Sequence, residues 1–525
     1  MSHFKTYGGS GFEIIKDMQV SPDGDVFLTG GYQNTWATES SISNALGDGD
    51  AFLAKYNSSG DLVWVKSGGS TFSEPNVISE FGTTSVYSEN NKSIYSAGTF
   101  QSLATFGHEK INSLGETDVF ITNYSTNGEL MWIKHLGGIG NDQVNDMSID
   151  RSGNIYLVGS FEDNLVYDGI NISSITSGSA GFVIQLKSNG EFGWLTSFRG
   201  KSINSIDKVL IERDAILING YFSRELIIGK ETLKTKHLSN EFLARLSLDG
   251  VVDWTTQLTS SEYIDIKDFS TTGTNIIFTG GFSGELQTPF RTEVSLGGVD
   301  IIAGSVDISN GEINQLIYSG SEKNETGVFI EFVDGQIVIG GQFEYKFTFM
   351  ANEIMGDNDI FLGLLTSNWD MVDARSFGGP NLDIIQSAFA IGNRVYVSGD
   401  FFGEIYANNE SFFSSGQTDF FISSWEIPER PIPAKSEEFI VYPNPSNGLF
   451  NLEVSLNQFN EEELSQMIIY SISGRKIHEE ILPNTNPISL NLTHLSSGTY
   501  LIQLKTKSHE FSQKLIIHKD VSIRN

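Results

Sequence analysis

Residues 137–161 read GGIGNDQVNDMSIDRSGNIYLVGSF, and this stretch decides the fold. Gly137-Gly138 leads into an apolar segment ending at Ser148-Ile149-Asp150. A turn follows at Arg151-Ser152-Gly153-Asn154. A second apolar segment, Ile155–Val158, closes on Gly159-Ser160-Phe161. The reading is two strands joined by a tight turn whose glycine tolerates positive φ.

Relatives of this stretch recur along the chain. A glycine followed two or three residues later by an aromatic occurs at Gly30, Gly98, Gly159, Gly220, Gly280, Gly340 and Gly399. The aromatics are Tyr32, Phe100, Phe161, Phe222, Phe282, Phe343 and Phe401. The glycine spacings are 68, 61, 61, 60, 60 and 59 residues, which marks a repeat architecture. A second pattern runs in step with it. Asp50, Asp118, Asp300, Asp359 and Asp419 each open an Asp-x-Phe triplet or a close relative. Ala180-Gly181-Phe182 and Asn240-Glu241-Phe242 hold the equivalent places. Fourteen residues after the triplet begins stands Trp64, Trp132, Trp194 or Trp254 in four of the units, beyond a turn such as Asn127-Gly128 or Asp249-Gly250.

Each unit therefore reads as four antiparallel strands. In the third unit these are Gln143–Ile149, Ile155–Phe161, Phe182–Leu186 and Phe192–Phe198. No segment sustains a 3.6-residue apolar period, so helix content should be small. Seven such units fit a seven-bladed β-propeller over residues 1–427. A right-handed β-solenoid is the runner-up, because its repeats are usually shorter and lack paired hairpin turns. The seventh unit offers three strands, Ile384–Ala390, Arg394–Phe401 and Asp419–Glu426, before Pro428. Phe4-Lys5-Thr6-Tyr7-Gly8-Gly9 matches the segments that begin at Trp64 and Trp132. The N-terminal segment is therefore expected to supply the missing outer strand and close the ring.

Residues 428–438, within IPERPIPAKSEE, are Pro-rich and charged, and read as a semi-rigid linker. Residues 439–525 differ in pattern. About seven short strands in under ninety residues predict a small Ig-like β-sandwich, so the whole chain reads as all-β.

The repeat units, GGIGNDQVNDMSIDRSGNIYLVGSF above all and Gly8–Tyr32 more loosely, resemble the β-propeller repeats of bacterial secreted and surface proteins. That resemblance implies no common reaction. The C-terminal segment resembles the type A sorting domain of the type IX secretion system. Four blocks carry the likeness. They are Val441-Tyr442-Pro443-Asn444-Pro445 with Gly448, then Ile469–Arg475 including Gly474, then Leu495–Tyr500 with Gly498 and Tyr500, and finally Lys514–Ile517 with Lys514. The resemblance implies export by that machinery, as a partner of the tail, to the surface or surroundings of a Gram-negative bacterium of the Bacteroidetes group. The N-terminus has no apolar signal-peptide region, and we expect that this copy lacks an original leader.

Composition narrows the chemistry. The formal charge is −32, from 33 basic and 65 acidic residues. The tail from residue 436 contributes little of this, so the acidity belongs to the repeats. Such a surface repels phosphate backbones and anionic lipid, which argues against nucleic acid as a partner. No apolar run is long enough for a membrane helix, so no membrane insertion is expected. Cys is absent, which excludes disulfides, thiol catalysis and Cys-ligated metals. The eight His show no ligand spacing.

Asp50, Asp118, Asp300, Asp359 and Asp419 are the candidate metal residues: equivalent carboxylates that could form a cation-binding ring, with calcium the ion considered. The competing reading is that each caps the turn before the third strand. The repeated Trp residues could stack on sugar rings, or could pack between blades. No nucleophile elbow, phosphate loop or dinucleotide fingerprint occurs, and no catalytic residue or cofactor is assigned. We expect an exported, non-catalytic binding or adhesion protein with a protein or glycan ligand at the propeller mouth. The loops Gln33–Gly49 and Gln101–Thr117 are the places to look for that ligand. The alternatives are a secreted polysaccharide-acting hydrolase and a structural component of a surface layer.

Overall fold

A computed structural model provides the architecture. It describes residues 3–427 except 10, 38–41, 48, 72–79, 174–177, 201–202, 289–291, 345, 350–351, 356–358 and 409. Beyond these it describes 439–442, 446, 448–454, 464–471, 476–482, 488–495, 498–506 and 510–517. The chain divides into two compact units, Met1–Ile427 and Pro428–Asn525. The predicted linker, 428–438, lies outside the described residues. No helix among the described residues is long and apolar enough to cross a membrane.

The first unit is built from strands alone. In the third repeat, Asp142–Ile149 pairs with Ile155–Phe161, which pairs with Ala180–Leu186, which pairs with Phe192–Gly200, all antiparallel. The same four-strand order recurs in the other repeats. The innermost strands are Glu13–Val20, Phe81–Ser88, Asp142–Ile149, Asn204–Glu212, Tyr263–Thr271, Glu325–Val333 and Asp383–Ile391. Each packs against the next, and the seventh packs against the first. His3–Tyr7 pairs antiparallel with Asp419–Glu426, with Phe4 opposite Ser423 and Tyr7 opposite Phe420. Phe4 is buried there, stacked 5.3 Å from Phe421. The ladder places His3, not Phe4, at the position that Trp64 holds in the first unit, because Gly8 and Gly69 are the equivalent glycines.

The repeating glycine has one cause. Every innermost strand carries a β-bulge, for instance between Val144 and Asp146 or between Ile15 and Asp17. The residue opposite is always glycine: Gly30, Gly98, Gly159, Gly220, Gly280, Gly341 or Gly399. A Cβ at any of them would collide with a backbone carbonyl of the bulged strand. In the sixth unit the equivalent residue is thus Gly341 rather than Gly340. The buried aromatic then falls two residues later in every unit.

The connections between second and third strands are not irregular loops. Where described, they fold as two-stranded hairpins, several of which reach back to the preceding unit. Leu103–Phe106 pairs with the outer strand Leu62–Ser70, and Glu225–Ile228 pairs with Phe192–Gly200. The hairpin covers the outer edge of its neighbour.

In the second compact unit, Phe439–Tyr442, Leu449–Val454 and Ile488–Asn491 form one sheet. Lys476–Glu480, Leu464–Ser471, Gly498–Thr506 and Glu510–Ile517 form another. Val441, Leu452, Met467, Ile469, Ile502 and Leu515 share one buried cluster drawn from both sheets.

Candidate functional site

The five recurrent aspartates are spread one per unit, and four have a described local partner. The backbone N–H four residues earlier donates to the carboxylate. Leu46 N lies 3.1 Å from Asp50, Leu114 N 2.7 Å from Asp118, Leu296 N 2.9 Å from Asp300 and Ser415 N 2.8 Å from Asp419. Burial raises the Asp50 carboxyl to about 6 and moves Asp300 and Asp419 the same way. Each carboxylate also fills the space above a glycine at the end of the adjoining outer strand. Asp50 lies over Gly69, Asp118 over Gly137, Asp300 over Gly320, Asp359 over Gly378 and Asp419 over Gly8, where a Cβ would collide. Where the aspartate is replaced, so is the glycine: Ala180 is level with Arg199, and Asn240 with Thr259. These residues act as turn caps matched to glycines. Among the described residues, no group of three or more His, Asp or Glu is arranged to hold a metal ion.

The tryptophans are also structural joints. Trp64, Trp194 and Trp254 donate their indole N–H groups to Thr126, Leu248 and Ile308 carbonyls of the next unit, at 3.1, 3.1 and 2.9 Å.

The bulges aim side chains into the axis. There the innermost strands enclose a cavity of about 590 Å³. Its polar wall is tied across neighbouring units. Asp17 accepts from Ser85 N at 2.8 Å, Asp146 from Val209 N at 2.9 Å and Asp268 from Ile330 N at 2.8 Å. These aspartates come from alternate units. Ser387 and Thr84 donate to Asp17 and Asp146 at 3.1 and 3.2 Å, and Lys208 pairs with Asp268. Burial raises the Asp17 carboxyl and takes Asp146 to about 7. Burial takes Glu331 and Asp207 to about 7 as well, with Asp268 adding for Glu331. Burial alone would lower the Lys208 ammonium, but Asp268, Asp146 and Asp17 together hold it above its ordinary value. No local motif marks these residues. The only signal is their place at the bulge, visible once the glycine is known to oppose it.

The sorting-motif residues divide. Gly448 has φ +100° and donates to Ser446 Oγ at 3.0 Å, a turn only glycine takes without strain. Tyr442 ends the first strand of its sheet, and Gly498 opens the strand in which Tyr500 sits opposite Leu515. Lys514 lies opposite Leu501 on the last strand. Pro443, Asn444, Pro445 and Gly474 lie outside the described residues.

Residues 440–518 match the model of the secretion system C-terminal sorting domain, and residues 132–160 match that of the beta-propeller repeat. No curated protein sequence matches the chain. Among solved structures, the full extracellular region of plexin A4 is similar at 9% identity and TM-score 0.39, over 98% of this chain and 62% of the plexin chain. This chain thus spans less than two thirds of that relative. Drosophila semaphorin 2a is similar at 7% identity and TM-score 0.39, over 97% of both chains. Quinohemoprotein alcohol dehydrogenase from Comamonas testosteroni is similar at 10% identity and TM-score 0.34, over 67% of this chain and 59% of that one. Likenesses this faint support no functional comparison. The chain is an all-β propeller-repeat protein that carries a type IX secretion sorting domain, which directs it to secretion or the cell surface.

Proposed function

We propose that the chain is a non-catalytic binding or adhesion protein. Residues 1–427 form a closed seven-bladed ring, 428–438 a linker and 439–525 the sorting domain. The ligand, a protein or a glycan, is taken up at the axial mouth, and any calcium acts there as an accessory. The observation that carries this reading is the polar axial cavity of about 590 Å³, whose aspartates are committed to backbone N–H groups of neighbouring units. Carboxylates held that way shape a site without being released for proton transfer. A second reading, a polysaccharide hydrolase, draws on Asp207 and Glu331, two cavity acids raised to about 7 and so suited to general acid work. A glycan array with calcium titration, followed by a reducing-sugar assay on the same sugars, separates the two. Retention without turnover supports binding. Sugar release overturns it.

A further inference from the structure

An indole fills each junction between consecutive units from the first to the seventh. Trp64, Trp132, Trp194 and Trp254 project from an outer strand onto the turn of the following unit, where a Cβ on Gly128, Gly190, Gly250 or Gly311 would meet the ring. Trp369 fills the next junction from the other side. It is buried in one cluster with Ile277, Ile301 and Ala303 of the fifth unit. Trp425 of the seventh unit is buried in one cluster with Val338 and Leu364 of the sixth.

The remaining junction, between the seventh unit and the first, has no tryptophan among the described side chains. His3 stands at the register of Trp64, opposite Ser424 as Trp64 is opposite Lys55. The aromatic walls of the socket are kept. Tyr396 holds the place of Phe27, Tyr95 and Tyr156, whose rings lie 6.1, 5.8 and 6.2 Å from Trp64, Trp132 and Trp194. The fifth and sixth units, which carry no outer-strand tryptophan, have Ile277 and Val338 there instead. Tyr56 holds the place of Tyr124, which lies 6.4 Å from Trp64. Tyr396, Tyr56, Tyr7, Ile422 and Ser58 line a groove of about 80 Å³ at this junction. At about 10–15 Å³ for each water-sized group, it takes one flat ring system.

The groove also holds two acceptors that lack a donor. At the filled junctions, Trp64, Trp194 and Trp254 donate to the carbonyls of Thr126, Leu248 and Ile308. Ser58 is the equivalent residue, two before the turn glycine Gly60 as Thr126 is before Gly128. The carbonyls around it are taken. Asn57 O accepts from Gly60 N, Ser59 O from Lys5 Nζ at 2.5 Å, and Gly60 O from the Tyr7 hydroxyl at 2.6 Å. Among the described residues, nothing donates to Ser58 O. The Tyr56 hydroxyl is buried and makes no hydrogen bond. A buried hydroxyl left unpaired costs stability, so the fold alone does not account for it.

We infer that the groove between the seventh and first units is a tryptophan socket built without its tryptophan, and that it binds a small-molecule indole. The ring lies beside Tyr396 and Tyr56, and its N–H donates to the Ser58 carbonyl, as the chain's own indoles do at the other junctions. A groove that takes a single ring suits a small ligand. The site involves the outer strand and is independent of the axial cavity.

The test is a ligand-observed NMR titration of the full chain with indole, with indene as the isostere that lacks the N–H and N-acetyltryptophanamide as a third arm. Indole should bind, and indene should bind about three- to tenfold more weakly, the loss expected for one hydrogen bond. His3→Trp copies Trp64, and Tyr56→Trp copies Trp425, which stands at the same register of its own unit. Each change should fill the groove and abolish indole binding. If one variant fails to fold, the other and the comparison of indole with indene still decide. No indole binding by the parent, indene binding as tightly as indole, or unchanged indole affinity in a folded variant each overturns the inference. Tighter binding of N-acetyltryptophanamide than of indole assigns the groove to a tryptophan of a partner protein and overturns it as well.

Discussion

Gly137→Ala offers a worked test of the aspartate–glycine pairing. The added Cβ would overlap the carboxyl group of Asp118, which is fully buried. Asp118 cannot swing aside freely, because its Oδ2 accepts from Leu114 N at 2.7 Å and meets His135 Nε2 at 2.5 Å. Relief therefore requires either overpacking, at about 1–3 kcal/mol, or loss of a charge-assisted bond, at about 1.5–3 kcal/mol. We expect Gly137→Ala to cost about 3 kcal/mol. Asp118→Ala alone removes the cap but frees space, and Leu114 is exposed enough for water to take over its N–H. Its cost should be about 1–2 kcal/mol. In the double variant the new methyl group has room, as at Ala180 opposite Arg199 in the third unit. The double variant should then be about as stable as Asp118→Ala alone, a coupling of about 3 kcal/mol. Urea denaturation of the four proteins, followed by tryptophan fluorescence, measures it. Costs that add to within about 0.5 kcal/mol would refute the pairing.

Four further outcomes follow from the same structure. Phe4→Ala should cost about 3–5 kcal/mol in the same denaturation assay, because Phe4 packs among Phe421, Phe412 and Phe377. Removing residues 1–9 should expose the edge at Phe420–Ser424 and cause aggregation by light scattering, whereas unchanged solubility would count against ring closure. Burial raises Glu13, Asp146, Glu331, Asp383 and Asp400 to about 7 and Asp142 to about 8. These folded values lie above the ordinary carboxylate range. The stability they add is fully present at acid pH and is lost as pH rises through them. Melting temperature should therefore fall between about pH 5 and about pH 8, and a rise over that window would contradict the shifts. Deleting residues 440–518 should leave the protein inside the cell envelope when fractions of the producing bacterium are blotted, and secretion of the truncated chain would contradict the role of the tail.

Much of this was legible in the chain, and the reasons are physical. Bulge-opposing glycines and their aromatics recur because one collision repeats in every unit, so Gly159 and Phe161 led directly to the repeat. The offset between Gly340 and Gly341 stayed hidden because two adjacent glycines look alike until a register is known. The hairpins after Gln33 and Gln101 read as irregular because ladders of three and four residue pairs carry almost no apolar alternation. The axial clamps Asp17, Asp146 and Asp268 were invisible, since acids are abundant and only topology brings them to one wall. Glu241 was in plain view within Asn240-Glu241-Phe242. It read as a degraded triplet because the apolar character of its six counterparts (Ala51, Val119, Gly181, Ile301, Ile360 and Phe420) emerges only when the ladders are aligned.

Repeated polar groups in this molecule hold the scaffold together, whereas Glu241, which breaks the repeat, is a buried acid with an unpartnered oxygen. The melting temperatures of Asp146→Ala and Glu241→Ile, measured side by side on the full chain at neutral pH, test that most directly. Asp146→Ala strips Val209 N–H and Lys208 of a buried partner and should lower the melting temperature. Glu241→Ile removes an incompletely paired buried carboxylate and should raise it. A fall in both would place Glu241 among the scaffold residues and contradict the account.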